Sequence, residues 1–187
     1  MSERLQKLIA NAGYGSRRWA ERLIEQGRIS VNNHEAKLGD KAVLDDKVTI
    51  DGRPIDLKRY SEVETKVLIL NKQAGVICSN KDEKGRKSVF DFLPENTRWV
   101  MVGRLDLNTS GLLLFTNNGD LANKLMHPSS EIDREYAVRV LGKVEDVHIK
   151  ELTTGIELED GFAKFHRVTL GGGEGANRWY HVIVREG

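Results

Sequence analysis

The segment from Val102 to Thr116, VGRLDLNTSGLLLFT, holds the residues best placed for chemistry. An apolar stretch ends at Val102, Gly103 permits a tight backbone path, and a polar loop precedes the next apolar stretch. Arg104 and Asp106 stand two residues apart in this loop, so in an extended conformation their side chains project to the same side and could hold one ligand. An Arg-x-Asp pair also fits an ordinary surface ion pair, and the two residue types alone do not decide.

Other reactive residue types show no pattern of a metal, nucleotide or redox site. The cluster GGGEG lacks the Gly-Lys-Ser/Thr sequence of a phosphate-binding loop, and the single cysteine, Cys78, lies in an apolar stretch. We therefore expect no metal ion and no cofactor. The five histidines form neither an HExxH spacing nor a Cys-His pair. They are His34, His127, His148, His166 and His181.

Two helices and a β-hairpin are predicted at the amino-terminal end. Apolar residues recur at i, i+3, i+4 and i+7 from Leu5, with Ser2 as a candidate cap, and Ser16 can cap a second helix. After Gly27 apolar residues alternate with polar ones, which predicts strands. Residues 1–59 are therefore expected to form a compact helix, helix, β-hairpin domain.

This amino-terminal domain carries the basic excess of the chain. It holds 12 Lys and Arg against 9 Asp and Glu, whereas the rest of the chain holds 17 against 19. Arginines beside a helix start can bind phosphate through their guanidinium groups and through free backbone N–H groups. Taken alone, the same side chains also fit a solvated basic helix face. The candidate phosphate-binding residues are Arg4, Lys7, Ser16, Arg17, Arg18, Arg22 and Arg28.

Strands predominate after residue 65. The polar residues 60–65 show no period and are expected to form a linker. Many strands with few helices between them predict an α+β fold with a mixed, largely antiparallel sheet and flanking helices. Strands are predicted at Lys66–Leu70, Gly75–Cys78, Trp99–Val102, Gly111–Thr116, Glu135–Leu141, Ala163–Leu170 and Trp179–Val184, and helices at Ser88–Leu93, Gly119–Met126 and Val144–Leu152.

Composition and charge limit the function further. The net charge of +1 argues against nucleic-acid binding by bulk charge alone. The longest apolar runs, such as Leu112 to Phe115, are far shorter than the roughly 20 residues of a membrane-spanning helix. The amino end has no apolar signal core followed by a cleavage site. We therefore expect no membrane span and a cytoplasmic location.

The amino-terminal domain resembles the alpha-L RNA-binding domain of a small-subunit ribosomal protein and of several RNA-modifying enzymes. The resemblance covers residues 1–59 and depends on GYGSRR, on GRISV and on LGDKAVLDDKVTIDG, which appear in this order. It implies a structured RNA partner, bound mainly through phosphates and shape rather than through base edges.

The rest of the chain resembles the pseudouridine synthases that modify ribosomal RNA and carry an amino-terminal RNA-binding domain, and among them the B-type large-subunit enzymes. The resemblance depends on GRLDLNTSGLLLFTNNGDLANKLMHP and EIDREYAVRV, and NKQAGVICS also fits, although Gln73 stands where a proline is commoner. Residues 66–187 are the expected catalytic domain. In the family a strand like HVIVREG continues into an arginine-rich motif, whereas this sequence stops at Gly187, so we expect truncation at the carboxyl end and leave the turnover of this chain open.

The resemblance implies that a uridine of 23S ribosomal RNA is isomerised to pseudouridine without a cofactor. Asp106 would be the catalytic carboxylate, either adding to the sugar carbon or removing a sugar proton. Arg104 would help hold the extruded nucleotide, and Tyr136 would stack on the flipped base. The implied partner is 23S ribosomal RNA in an assembly intermediate of the large subunit, and the protein is expected to be a monomer.

Two other functions stay open at the level of the sequence. A non-catalytic RNA-binding or ribosome-assembly module would use the amino-terminal domain beside a decayed catalytic domain. A glycosidase-like hydrolase would need a second placed carboxylate. Neither Asp120 nor Glu135 lies in a motif that supports this role.

Overall fold

The chain folds into two compact units, Met1–Gly119 and Asp120–Gly187. The paired strands of the described sheets are antiparallel, which confirms the expected α+β class with largely antiparallel pairing. No helix in the described part of the chain has the length and apolarity to cross a membrane. Residues 60–63 of the expected linker lie outside the described residues. The structure is a computed structural model that describes residues 2–59, 64–79, 82, 84–95, 97–159, 161–173 and 176–185.

The first unit opens with two helices and six short strands. Four of the strands form a sheet in the order β3-β2-β5-β6, and β1 pairs with β4. The apolar stripes of both helices pack against this sheet in one core that includes Leu5, Ile9, Ile29 and Val48. The elements are β1 (Glu3–Arg4), α1 (Leu5–Asn11), α2 (Arg17–Glu25), β2 (Ile29–Val31), β3 (His34–Glu35), β4 (Lys41–Ala42), β5 (Val48–Ile50) and β6 (Arg53–Ile55).

One of the two predicted helix caps is present. The Ser16 hydroxyl accepts a hydrogen bond from the Trp19 backbone N–H at 3.0 Å, as expected for the start of α2. The predicted cap at Ser2 is wrong. Because Glu3 and Arg4 pair with β4 as a short strand, α1 begins only at Leu5 and has no side-chain cap.

The first unit continues with a three-stranded sheet in the order β7-β9-β8. Its strands are β7 (Val67–Lys72), β8 (Val100–Val102) and β9 (Gly111–Thr116). Phe115 is fully buried beneath this sheet, and its ring meets that of Phe90 edge to face at 5.7 Å. Phe90 belongs to a 3-10 helix, Val89–Phe92, at the place of the predicted short helix.

The predicted strand at Gly75–Cys78 is wrong. Gly75 adopts a positive φ of 86°, and its N–H donates to the Leu107 carbonyl, so the chain turns at this point. Beyond the turn, Ile77 makes only an isolated parallel bridge to Ser88. The apolar residues that suggested a strand are buried as a packed turn instead.

A second three-stranded sheet, in the order β10-β14-β13, forms the centre of the second unit. The predicted strand at Ala163–Leu170 is divided in two, because the Phe165 N–H donates to Leu152 at the end of α4 and draws the chain away from the sheet. Strands β11 and β12 form a separate hairpin. The elements are α3 (Gly119–Met126), which starts at the end of the first unit, β10 (Arg134–Leu141), α4 (Asp146–Thr154), β11 (Ile156–Leu158), β12 (Gly161–Ala163), β13 (Arg167–Gly172) and β14 (Asn177–Val184).

Replacing Phe115 by alanine should destabilise the first unit by about 3–5 kcal/mol, because it leaves a cavity in a closed core. Leu112 on the same strand is 65% exposed, so Leu112→Ala should change stability by no more than about 0.5 kcal/mol. Urea unfolding followed by circular dichroism measures both values. Equal losses for the two variants would contradict the burial pattern of β9.

Candidate functional site

The loop between β8 and β9 presents Asp106 to solvent. Arg104 and Asp106 are both exposed, and Gly103 adopts a positive φ of 76° where the chain leaves β8. The Thr109 N–H donates to the Asp106 carbonyl at 3.1 Å, which closes a β-turn directly after the carboxylate. Asp106 therefore stands at the entrance to a tight turn, with its side chain open to a ligand.

A buried lysine holds this loop from below. Lys72, the last residue of β7, is only 1% exposed. Its Nζ donates to the carbonyl oxygens of Asp106 at 2.9 Å and Thr109 at 2.7 Å, and lies 3.3 Å from that of Leu107 and 3.2 Å from that of Gln73. An ammonium has three N–H donors, so four acceptors at these distances fill its capacity.

These contacts explain how a positive charge is accommodated in the core. Burying an ammonium is costly unless polar groups replace its hydration. Here no carboxylate pairs with Lys72 among the described residues, and backbone carbonyl dipoles surround the charge instead. The lysine also supplies donors to these carbonyls. The Leu107 carbonyl, for example, accepts the Gly75 N–H at 2.8 Å and has Lys72 Nζ as a second donor. Lys72 thus holds Asp106 in position through the main-chain carbonyl of that residue.

Lys72 was missed by the sequence interpretation, although the sequence contains a signal for it. Leu68, Leu70 and Lys72 alternate along β7 and therefore share one face of the strand. A charged residue on the buried face of a strand must meet polar groups that compensate its charge. Such a residue therefore predicts that a nearby loop contacts it. The predicted strand ended at Leu70, so this periodicity was not followed to Lys72.

Arg104 and Asp106 do not form the ion pair that the sequence left open. In the described part of the chain, no hydrogen bond or salt bridge joins their side chains, and neither has another charged partner. Both groups are exposed on the same loop. A guanidinium and a carboxylate are thus available there for a ligand.

The second unit holds Tyr136 on β10. Tyr136 is half-buried and lies opposite Val182 on β14. Its neighbour Glu135 points to the other face of the sheet, where its carboxylate contacts His181 Nδ1 at 2.9 Å. Glu135, which was considered as a possible second catalytic acid, is therefore engaged with a histidine.

The structure brings three of the predicted phosphate-binding residues together. Arg4, Lys7 and Arg17 line one cavity of about 470 Å³, to which Lys41 and two carboxylates, Glu3 and Glu21, also contribute. Lys41 was not among the predicted residues, since it lies in a different part of the sequence and reaches the cavity through the pairing of β1 with β4. Arg18 and Arg22 are exposed on α2.

Two of the predicted phosphate-binding side chains are already paired with carboxylates. Lys7 Nζ lies 2.6 Å from Glu3. Arg28 donates two hydrogen bonds to Asp51, at 2.7 and 2.6 Å. This fork raises the pKa of Arg28 and lowers the pKa of Asp51, in each case mainly through the side-chain hydrogen bond. Arg28 therefore links the start of β2 to the turn that follows β5.

Metal-ligating side chains do not cluster. Over the described residues, no group of three or more His, Cys, Asp or Glu side chains is placed to hold a metal ion. The reactive group that the β8–β9 loop presents is the exposed carboxylate of Asp106.

Comparison with known families agrees with this fold. A model of the S4 domain matches residues 3–46, and a model described as RNA pseudouridylate synthase matches residues 66–185. An S4 domain followed by a pseudouridine synthase domain is therefore the class of architecture present. The chain belongs to the RNA pseudouridylate synthase family. The expected fold of both parts is confirmed.

Individual relatives place the chain within this family. It is 51% identical to the ribosomal large subunit pseudouridine synthase B of Yersinia pestis, covering 100% of this chain and 60% of that protein. Identity to the protein of the same name from Escherichia coli K12 is also 51%, over 100% of this chain and 66% of the relative. The expected similarity to the B-type enzymes is confirmed. The chain spans about 60 to 66% of the length of these curated relatives.

A solved structure supports the fold. A crystal structure of a pseudouridylate synthase aligns with a TM-score of 0.60 and 24% identity, covering 98% of this chain and 77% of that one. At this level of identity the similarity concerns the fold alone.

Replacing Lys72 by methionine should cost at least about 2 kcal/mol of stability, because the loop carbonyls lose their donor and stay buried. Hydrogen exchange at the Gly75 and Thr109 amides should accelerate, since both are bonded to carbonyls of the same loop. Denaturant unfolding and amide exchange measure the two effects. Lys66→Met, at an exposed position just before β7, is the control and should leave both unchanged.

Proposed function

We propose that this chain is the RNA-binding and catalytic part of an enzyme that isomerises a specific uridine of 23S ribosomal RNA to pseudouridine. The observation that supports it most is the exposed Asp106 carboxylate on a loop whose backbone is held by buried Lys72. Catalysis benefits from a reactive group that is fixed before the substrate arrives. Family membership and the names of relatives that are half identical support the choice of reaction.

The reaction breaks the bond from N1 of uracil to C1′ of ribose and forms a bond from C5 to C1′. C5 gives up its proton and N1 gains one, so the mass is unchanged and no cofactor takes part. Asp106 either adds to C1′, holding the sugar while the uracil turns, or removes a proton from the sugar. Both routes require a carboxylate open to the substrate, and Asp106 is exposed.

Two further side chains complete the proposed machinery. Arg104, exposed on the same loop, binds the extruded nucleotide or its phosphates. Tyr136 stacks on the flipped uracil, an interaction worth roughly 1–3 kcal/mol for an aromatic ring against a base. Extruding a paired nucleotide costs a few kcal/mol, so stacking of this size offsets much of it.

RNA is bound mainly by the amino-terminal domain, residues 1–59, through Arg4, Lys7, Ser16, Arg17, Arg18, Arg22 and Arg28. Residues 60–65 act as the linker to the catalytic domain, which begins at residue 66. The partner is 23S ribosomal RNA in an assembly intermediate of the large subunit, and the enzyme works as a cytoplasmic monomer. The cavity in which Arg4, Lys7, Arg17 and Lys41 outnumber two glutamates supports phosphate binding by this domain.

The contact of Glu135 with His181 favours this function over hydrolysis. A glycosidase-like mechanism needs a second carboxylate free to act as acid or base. Glu135 is held by a histidine instead. A non-catalytic RNA-binding module is the second candidate, and it differs from the enzyme in forming no pseudouridine.

Asp106→Asn in the whole native protein should lower pseudouridine formation at least about a thousandfold, because the amide neither adds to C1′ nor accepts a sugar proton. Carbodiimide-dependent stops of reverse transcription on 23S ribosomal RNA measure the product. The matched control is Asp45→Asn, an exposed carboxylate of the amino-terminal domain, which should keep its activity. Undiminished product from the Asp106 variant would refute the role of this carboxylate. Absence of product from the unaltered native protein would favour the non-catalytic module.

Tyr136→Phe should retain most activity, since the ring that stacks on uracil is kept. Tyr136→Ala should lose about 5- to 150-fold in kcat/KM, which corresponds to 1–3 kcal/mol of stacking. Single-turnover kinetics on an RNA fragment containing the target uridine measure both. Equal losses for phenylalanine and alanine would assign the function to the hydroxyl and contradict the stacking role.

A further inference from the structure

Arg98 connects two parts of the first unit that are far apart in the sequence. It lies just before β8, and its Nη1 donates to the carbonyl of Ala10 in the last turn of α1. The same carbonyl also accepts the Gly13 N–H at 3.1 Å, so Arg98 adds a second donor at the end of α1. Arg98 as a whole residue is nevertheless exposed, and this contact uses one of the five N–H donors of its guanidinium.

The charge of Arg98 has no acidic counterpart in the part of the chain that the structure describes. The partial burial of its guanidinium lowers the pKa of Arg98, and the nearby positive charge of Arg17 lowers it further. Among the described residues, neither arginine forms a salt bridge with a carboxylate, and the Ala10 carbonyl is a neutral partner. Arg98 contacts the carbonyl of Ala10, and Arg17 lies near the side chain of the next residue, Asn11, so two positive charges meet at the end of α1. This arrangement favours an anion between them.

The position of Arg17 adds to this preference. Arg17 is the first residue of α2, whose first turn contains no acidic residue, so the positive end of the helix dipole lies beside it. Arg17 Nη2 and Asn11 Oδ1 also stand close to Gly119, at 4.0 and 3.7 Å from where a Cβ would lie on that glycine. Because Gly119 has no side chain, its backbone borders the space next to the Arg17 guanidinium.

We propose that Arg98 and Arg17 together bind one backbone phosphate of the RNA, so that the segment before β8 extends the RNA-binding surface of the amino-terminal domain. The inference builds on the proposed function, since it takes RNA as the ligand. Guanidinium groups suit this role because their N–H forks match phosphate oxygens in pairs. Arg17 also lines the cavity with Arg4 and Lys7, so the phosphate site adjoins that cavity.

A purely structural role for Arg98 makes a different prediction. If Arg98 only satisfied the end of α1, its removal would lower stability and leave the salt dependence of RNA binding unchanged. A phosphate contact contributes a slope of about 0.7 to 0.9 in the plot of log affinity against log salt concentration. The salt slope therefore separates the two roles.

The test measures binding of in vitro transcribed 23S ribosomal RNA over a series of KCl concentrations. Arg98→Gln and Arg17→Gln should each weaken binding about 5- to 20-fold near 0.1 M salt and reduce the slope by about one. The double variant should lose less than the product of the single losses, because both side chains serve one phosphate. Arg98→Lys should keep most of the slope. Arg53→Gln, which removes an exposed charge from β6, is the charge-matched control and should keep the full slope.

A second measurement covers the case in which Arg98→Gln does not fold. Arg17 makes no contact with a carbonyl of α1 in the described structure, so Arg17→Gln tests the same phosphate with the Arg98 contact intact. Inorganic phosphate should raise the Tm of the unaltered protein above that in chloride of equal ionic strength, and Arg17→Gln should abolish the difference.

The outcomes separate this inference from the proposed function. RNA binding by the unaltered protein with an unchanged slope in both glutamine variants would overturn the phosphate site alone. An unaltered protein without measurable RNA affinity would overturn the proposed function as well. A reduced slope and a less than additive double variant support the site.

Discussion

The contact between the Lys72 ammonium and the carbonyls of the Asp106 loop is the interaction on which the candidate site depends. A lysine with 1% exposure is tolerated because carbonyl dipoles surround it, and the lysine adds donors to the carbonyls of a turn that the Thr109 N–H closes. Strand and loop therefore stabilise each other. The result is a carboxylate that is open to solvent while the main chain behind it is bound from the protein interior.

Much of this fold could be predicted because local patterns and tertiary structure agree. The Ser16 cap, the inward alternation of β9 and the helix at Gly119–Met126 were all present as sequence patterns and appear in the structure. The errors occurred where tertiary contacts override local preference. Gly75–Cys78 is apolar enough for a strand, but the Gly75 N–H bonds the distant Leu107 carbonyl, and no local pattern contains that partner.

The site divides in the same way. Asp106 and Arg104 were identified from the sequence because a polar loop between two apolar strands is a local feature. Arg98 was not, since its importance comes from an approach to Ala10 and Arg17 that sequence spacing does not reveal. Arg28 shows the same limit. It was predicted as a phosphate-binding residue from the basic cluster at the amino-terminal end, and no local pattern contained its contact with Asp51 at the turn after β5.

The use of main-chain atoms in the lysine contact has a consequence for how this loop can change over evolutionary time. Lys72 recognises the carbonyls of Asp106, Leu107 and Thr109 but none of their side chains. Substitutions at positions 107 to 109 can therefore accumulate without loosening the scaffold, provided that the turn is kept. Related enzymes could acquire new nucleotide preferences by diversifying these three side chains around an unchanged carboxylate.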